Sequence, residues 1–292
     1  MARPKAHTIA VTAASGRLGH AILRSLTGAG YRPVAVVRDP SRLHVSGCEI
    51  RRADYADGAS MGRALEGTDT VIIVSAPVAG GGDRLTLHRN AVSVAVQAGV
   101  RKIIYTSIVS NGRESGTLFA DFARVNAASE MLVRDSGCEW TIARNSLYLD
   151  LDLAQIRAAA TGGVYSNGAG DGRCGYISIA ELGFALATLA RTEHCTGRSV
   201  NLSGPPVTQA ELVDAANRVF GTAIRYVPCS SDEDIARLRA IPMIASRGPD
   251  VINMLAGCFQ CIRNGNFEVP SDFPIVTGRD AMALEQQMQN AG

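Results

Sequence analysis

The opening of the chain constrains the fold more than any other stretch. His7-Thr8-Ile9-Ala10-Val11 is short, apolar and β-branched, and reads as a buried strand. Thr12 to Gly19 then forms a turn of small residues, with Ala13, Gly16 and Gly19 at the spacing of a glycine fingerprint. Apolar Leu18, Ala21, Ile22, Leu23 and Leu26 mark a helix that stops at Gly28 and Gly30. Strand, tight turn and helix in this order are the layout of a dinucleotide-binding unit. Unpaired N–H groups at the helix start face a pyrophosphate, and the helix dipole favours its charge. Alanine replaces the first glycine, which fits if that residue keeps a negative φ. The plain alternative is a strand-to-helix turn of any α/β protein. The contacts expected of this turn are Thr12, Ala14, Ser15, Gly16, Arg17 and Leu18.

The residues just past the second strand, Pro33 to Val37, select between cofactors. An acidic residue there bonds the ribose diol of NAD, whereas an arginine accommodates the extra phosphate of NADP. Arg38 and Asp39 stand side by side. Asp39 lies twenty positions past Gly19, but it precedes Pro40 and Ser41, where aspartate caps a helix start. Arg38 comes first after the strand, and Arg17 and Arg42 add positive charge. This favours NADP(H), although a solvated surface arginine accounts for Arg38 on charge alone.

Cys48 to Asp54 is a short third strand. Asp54, beside Tyr55, is placed to bond an adenine or to cap a helix over Ser60 to Leu65. Thr70 to Ser75 is a strong buried strand, and Ser75 and Ala76 end it where ligands sit in doubly wound sheets. Gly80-Gly81-Gly82 reads as a loop. Leu85 to Ala98 is a helix whose His88 reads as a hydrogen-bonded structural residue. Arg101 to Ser107 is the fifth strand; it buries Tyr105 and brings Thr106 and Ser107 to the same edge. Leu118 to Arg134 is a helix with apolar Phe119, Phe122, Val125, Ala128, Met131 and Leu132. Trp140 to Asn145 is the sixth strand. Six strands alternating with helices predict a Rossmann-type, doubly wound parallel sheet of α/β class.

The remainder changes character. Residues 161–175 carry six glycines. Glu181 to Arg191 reads as a helix and Ser199 to Leu202 as a strand. Thr208 opens a helix through Phe220, with Glu211 completing a capping box. Asp250 to Ile262 is apolar enough to pack over the sheet edge or cover a pocket. The expected division is a nucleotide-binding domain over 1–148, to which 176–204 returns. Residues 149–175 and 205–292 form a smaller C-terminal α/β substrate part.

Composition narrows the function. Lys and Arg number 29 against 27 Asp and Glu, so neither nucleic acid nor a membrane surface is an expected partner. No apolar run approaches the ~18 residues of a membrane span, and Met1 to His7 has no signal-peptide core. A cytoplasmic location is expected. Seven scattered cysteines read as reduced thiols. Cys258 and Cys261, without ligand partners, read as two small side chains one turn apart on a helix, so no metal is expected. A homodimer is compatible with all of this and required by none of it.

The chain resembles the NmrA-like, atypical short-chain dehydrogenases/reductases. Within them it is similar to the triphenylmethane reductase and NADPH:quinone oxidoreductase group. The resemblance rests on Ile9 to Gly19, Val36-Val37-Arg38-Asp39-Pro40, Asp54-Tyr55, His88-Arg89-Asn90 and Ala98-Gly99-Val100. It continues through Tyr105-Thr106-Ser107, Ala143-Arg144-Asn145 with Tyr148, and Ala169-Gly170-Asp171-Gly172. It implies NADPH preference through Arg38 and a substrate pocket between the two parts. The wider superfamily carries Tyr-x-x-x-Lys on the helix after the fifth strand. Aligning that helix by Glu130 puts Phe122 and Asn126 there instead. Phenylalanine has no proton to give, and asparagine cannot lower a phenol pKa as a lysine charge does. Losing a positioned acid typically forfeits 10²–10⁴-fold, roughly 3–5 kcal/mol, in carbonyl reduction.

The expected activity is therefore hydride transfer from NADPH to a flat conjugated or aromatic acceptor such as a quinone, with solvent completing the protonation. Tyr148 is the candidate for contacting substrate or donating a proton. Asn126 is the candidate for holding a nicotinamide ribose hydroxyl or a water. Phe122, Tyr148 and Tyr176 are the expected substrate-side residues. Two other readings share the fold: a regulator that senses NAD(P) without chemistry, and a redox-neutral isomerase or lyase.

Overall fold

The computed structural model describes residues 7–77 and 83–291; the glycine loop expected at 80–82 lies outside them. The first half alternates strand and helix. In order come β1 (Ile9–Val11), α1 (Arg17–Gly28), β2 (Val34–Val37), β3 (Glu49–Arg52), α2 (Gly58–Leu65) and β4 (Thr70–Ile73). Next are α3 (Arg84–Gln97), β5 (Lys102–Ile108), α4 (Ala120–Arg134) and β6 (Glu139–Asn145). The second half contains α5 (Leu149–Ala158), β7 (Val164–Asn167), β8 (Arg173–Cys174), α6 (Ile179–Arg191) and β9 (Arg198–Leu202). It continues with β10 (Val207–Thr208), α7 (Gln209–Phe220), β11 (Arg225–Pro228), α8 (Ser231–Arg239), α9 (Pro242–Ala245), α10 (Pro249–Arg263), α11 (Phe273–Thr277) and α12 (Leu284–Asn290).

The central sheet has seven strands in the order β3-β2-β1-β4-β5-β6-β9, and every pairing is parallel. From β1 the chain winds outward through β2 and β3, then returns to β4 on the other side. The order reverses between β1 and β4, and doubly wound sheets bind their ligands at the carboxyl ends of the strands at such a switch point. β1, β2 and β4 are buried at every residue, as a sheet covered on both faces requires. The edge strand β3 is Glu-Ile-Arg-Arg and largely exposed, and its charges discourage further strand pairing.

One face packs Leu18, Ile22, Leu23 and Leu26 of α1 with Leu182, Leu186 and Leu189 of α6. The two helices approach closely at Gly183, where a Cβ would come within 2.6 Å of the Ala21 backbone. The other face packs Met61 and Leu65 of α2 and Ala91 and Ala95 of α3 against Val34, Val71 and Ile103. A further core gathers around Leu153, Ile156, Leu212, Phe259 and Phe267 and takes in Val109, Phe119 and Ala123 from the first half. Two small sheets belong to it, antiparallel β10-β8 and parallel β11-β7. The Thr208–Glu211 capping box forms at the start of α7, and Ser230–Glu233 makes a second one for α8. Cys258 and Cys261 lie together on α10. Among the described residues, no helix is long and apolar enough to cross a membrane.

Candidate nucleotide and hydride-transfer site

The turn after β1 departs from the sequence expectation at one residue. Ala13 takes φ +47°, the one positive value for a non-glycine among the described residues. A Cβ in that region costs roughly 1–2 kcal/mol. The turn geometry holds it there: the Gly16 N–H donates to the Ala13 carbonyl at 2.9 Å, and the Ala14 N–H donates to Val36 of β2 at 3.1 Å. Gly19 lets α1 sit directly on this turn, since a Cβ would lie 2.7 Å from the Ala13 carbonyl oxygen. Gly16 caps α1 without a side-chain hydrogen bond, and the first turn contains no acidic residue. The first helical N–H groups are thus left to solvent or to an anion. Gly16 and Arg17 are exposed and Ser15 is half-buried at this end.

The second strand presents Arg38 and Asp39 differently. Asp39 accepts hydrogen bonds from the Ser41 N–H at 3.0 Å and hydroxyl at 2.7 Å. Those bonds hold its carboxyl below the usual range. Arg38 is exposed, and its guanidinium lies 4.0 Å from Asp54. An exposed pair at that distance contributes little, so Arg38 can take up a phosphate. Asp54 also accepts from the Ala56 N–H at 2.9 Å, a local turn, while Asp57 caps α2.

Several residues expected to touch the cofactor hold the sheet instead. The Thr12 hydroxyl accepts from the Val74 N–H at 3.0 Å and contacts the Ile72 carbonyl and the Tyr55 hydroxyl, stitching β1 to β4. Thr106 accepts from the Ser75 N–H at 2.9 Å, joining β4 to β5. The Ser107 hydroxyl donates to Glu130 at 2.8 Å. These three side chains are buried, as are Ala14, Leu18 and Ala76. The physical reason is common to them: at the ends of closely spaced parallel strands, a short polar side chain reaches backbone or a buried carboxylate sooner than solvent. Ser15, Gly16, Arg17, Arg38, Asp54 and Ser75 remain accessible.

Helix α4 reverses a sequence reading. Its buried face is Ala123, Asn126, Ser129, Glu130 and Val133, while Met131 is 60 % exposed. The polar residues are buried because each finds a partner. Glu130 is held by both Arg144 donors at 2.8 and 2.6 Å and by Arg134 at 2.9 Å. Ser129 lies 2.8 Å from His88 Nδ1. The Tyr105 hydroxyl donates to Asn126 Oδ1 at 3.3 Å, and Asn126 Nδ2 donates to the Phe122 carbonyl at 2.8 Å. Asn126 is 2 % exposed, so its amide serves this network rather than an open ribose site.

His88 and Arg84 stand one turn apart on α3 and hold the two peptide groups that flank Ala76. The Ala76 N–H donates to His88 Nε2 at 2.8 Å, and Arg84 Nε donates to the Ala76 carbonyl at 2.9 Å. Accepting at Nε2 assigns the imidazole proton to Nδ1, toward Ser129 and Tyr105. Burial, with the Arg84 charge nearby, lowers the His88 pKa to about 4. Arg84 was not anticipated from sequence; its spacing of four from His88 at a helix start was the available signal. Its guanidinium carbon lies 4.3 Å from the centroid of the Phe122 ring. Phe122 is half-buried.

Tyr148 stands at the N-terminal end of α5, just past β6, and pairs with Ile177 in an isolated parallel bridge. It is half-buried, and burial raises its phenol pKa. Nearby on β6, both amide atoms of Asn145 are buried without a hydrogen bond among the described residues. Tyr176 corrects the sequence reading. It is 1 % exposed, its hydroxyl accepts from Gln209 at 2.7 Å, and it lies in the core of the second half. Gly204 lets a strand end press on the Tyr176 carbonyl, where a Cβ would lie 2.1 Å away, and this closes the tyrosine off. A groove of about 470 Å³ lined by Ser203, Pro206, Val269 and Phe273 contains none of the expected site residues.

Comparison with known proteins identifies the family. The sequence model of the NAD(P)H-binding family matches residues 13–178. Quinone oxidoreductase 2 of Escherichia coli K12 is 31% identical over 239 residues, covering 80% of this chain and 82% of that protein. A (4-alkanoyl-5-oxo-2,5-dihydrofuran-3-yl)methyl phosphate reductase of Streptomyces griseus is 30% identical over 224 residues, covering 75% and 76%. The E. coli NADPH-dependent quinone oxidoreductase solved with NADPH superposes with a TM-score of 0.85 at 28% identity, covering 97% of this chain and 99% of that one. Citrobacter triphenylmethane reductase solved with NADP(H) gives 0.83 at 26% identity, covering 97% and 100%.

Proposed function

The chain belongs to the NAD(P)H-binding family, and on that premise we propose that it carries a hydride from NADPH to a conjugated or aromatic acceptor such as a quinone. As an NAD(P)H-dependent oxidoreductase it needs a cofactor cradle. The uncapped start of α1 and the accessible Ser15, Gly16 and Arg17 fit one. Bound there, the reduced nicotinamide supplies the hydride. Arg38, free of Asp39, receives the 2′-phosphate, and this supports NADPH over NADH.

The observation that carries the acceptor class is Phe122. Aligning α4 by Glu130 puts it at the register of the usual acid, and its half-buried apolar ring, with the Arg84 guanidinium over it, cannot protonate an alkoxide. Reduction of a quinone ends in an anion that water protonates, so the site has to orient its acceptor and exclude bulk water. Tyr148, at the N-terminal end of α5, is the residue assigned to substrate contact. The likeness to a quinone oxidoreductase and to a triphenylmethane reductase supports the same class.

The test is NADPH oxidation against quinones, activated alkenes, cationic dyes and simple ketones. Turnover of the conjugated acceptors, at least 100-fold above the ketones, is expected. Arg38→Ala should narrow the NADPH-over-NADH preference at least tenfold, as expected for loss of a charge-assisted pair of roughly 1.5–3 kcal/mol. Tight NADPH binding with no turnover of any acceptor would return the chain to the regulator reading.

A further inference from the structure

We propose that Arg84 is a catalytic residue: its guanidinium receives the negative charge that appears on the acceptor oxygen when the hydride arrives. This rests on the reductase reading above. The Arg84 side chain is fixed at two points. Its Nε donates to the Ala76 carbonyl at 2.9 Å, and its guanidinium carbon lies over the Phe122 ring, 4.3 Å from the centroid. The N–H of the same residue is held by His88, so the backbone on either side of Ala76 is anchored to α3 and supports the guanidinium. One of its five N–H donors is used on Ala76, and among the described residues the two terminal nitrogens make no hydrogen bond.

Among the described residues the charge has no carboxylate counter-ion. Arg144 and Arg134 share Glu130, Arg101 has Glu139 and Glu193, and Arg279 has Glu181. The five residues between Pro77 and Asp83 add no acidic side chain to the sequence. A partly buried cation without a partner carries an uncompensated desolvation cost, which an anionic oxygen at this spot would offset.

The location fits the chemistry. The sequence alignment by Glu130 puts Phe122 and Asn126 at the register of the superfamily's phenol and lysine, and Arg84 lies over the Phe122 ring. An acceptor that takes up one hydrogen with two electrons gains a negative charge on its oxygen, while the cofactor leaves oxidised. A proton from water then completes the quinol. Arginine does not release its own proton near neutral pH. Its contribution is electrostatic, stronger toward the anionic product than toward the neutral acceptor, as catalysis requires.

A phosphate oxygen of the cofactor would satisfy the same guanidinium, so the test separates the two sources. 4-Nitrophenol is bound to the NADP⁺-loaded protein and titrated by its phenolate absorbance, in wild type, Arg84→Gln and Arg84→Lys. The Gln variant keeps a donor for Ala76 without the charge; the Lys variant keeps the charge. Wild type should lower the phenol's midpoint by one pH unit or more. Gln should abolish that shift and Lys restore part of it. Quinone turnover should fall at least tenfold in Gln, with the NADPH dissociation constant changed less than twofold. An unshifted phenol in wild type, or an equal shift in Gln, overturns the proposal. So does a tenfold loss of NADPH affinity in Gln with the phenol shift intact, which would assign the guanidinium to the cofactor. A wild type that turns over no acceptor yet shifts the phenol through Arg84 would sink the reductase reading and support the anion site.

Discussion

Ala13 holds a backbone conformation that its side chain resists. At φ +47° the Cβ crowds the following carbonyl. Glycine would remove that crowding, at the expense of roughly 0.5–1 kcal/mol of extra chain entropy in the unfolded state. Ala13→Gly should therefore stabilise the protein by about 0.5–1 kcal/mol, read as a higher urea midpoint with an unchanged slope. A lower midpoint would show that the Ala13 methyl has a packing role that outweighs its strain. The same residue scale separates Arg38 from Asp39. Adjacent in sequence, both are exposed; Asp39 is tied to the Ser41 N–H and hydroxyl, whereas Arg38 has only the 4.0 Å pair with Asp54.

At the scale of elements, α4 is the informative case. Its buried stripe is polar, and that stripe connects four elements. Glu130 binds Ser107 of β5 and Arg144 of β6, Ser129 meets His88 of α3, and Asn126 meets Tyr105. Removing one member of a buried charged cluster leaves the others unpaired. Glu130→Ala should lower stability by about 2–4 kcal/mol by chemical denaturation. Arg134 and Arg144 are about one-third exposed and partly rehydrate, which keeps the loss below the fully buried extreme. A loss under about 0.5 kcal/mol, the size of an exposed pair, would mean that the cluster is incidental. Its location argues otherwise, since it sets the ends of β5 and β6, beside Ser107 and Tyr148.

For the whole molecule, two buried groups give stability opposite pH slopes. His88 has a pKa of about 4 when folded, against about 6.5 unfolded. Its contribution is fully present above about pH 6.5 and is lost as pH falls toward 4. Asp152 is raised by burial to about 7, while the Tyr165 hydroxyl donates to it at 3.1 Å. The folded state keeps that proton where the unfolded state has released it. Stability from this group is present below about pH 4 and declines as pH rises to 7. Between pH 4 and 6.5 the two slopes oppose each other, and wild type should change little on their account. Asp152→Asn removes one slope. Its stability relative to wild type should increase by on the order of 2 kcal/mol from pH 5 to pH 8, read from urea midpoints at both values. A constant difference would place Asp152 ionised in the fold.

Sequence by itself determined the sheet, the helix order and the phosphate turn. These depend on local signals: apolar runs for buried strands, small residues at a turn, capping residues at Thr208 and Asp39. A resemblance spread over most of the chain added the family and the cofactor. Tertiary structure decided which polar side chains are inside. Thr12, Thr106, Ser107, Asn126 and Tyr176 all carry groups that could meet a ligand, and all are buried against partners far away in the chain. Arg84 went unnoticed for the converse reason. Its supports are the Ala76 carbonyl and the Phe122 ring, eight and thirty-eight residues away. A side chain's role is set by the distance in space to its nearest partner, and one-dimensional periodicity does not contain that distance.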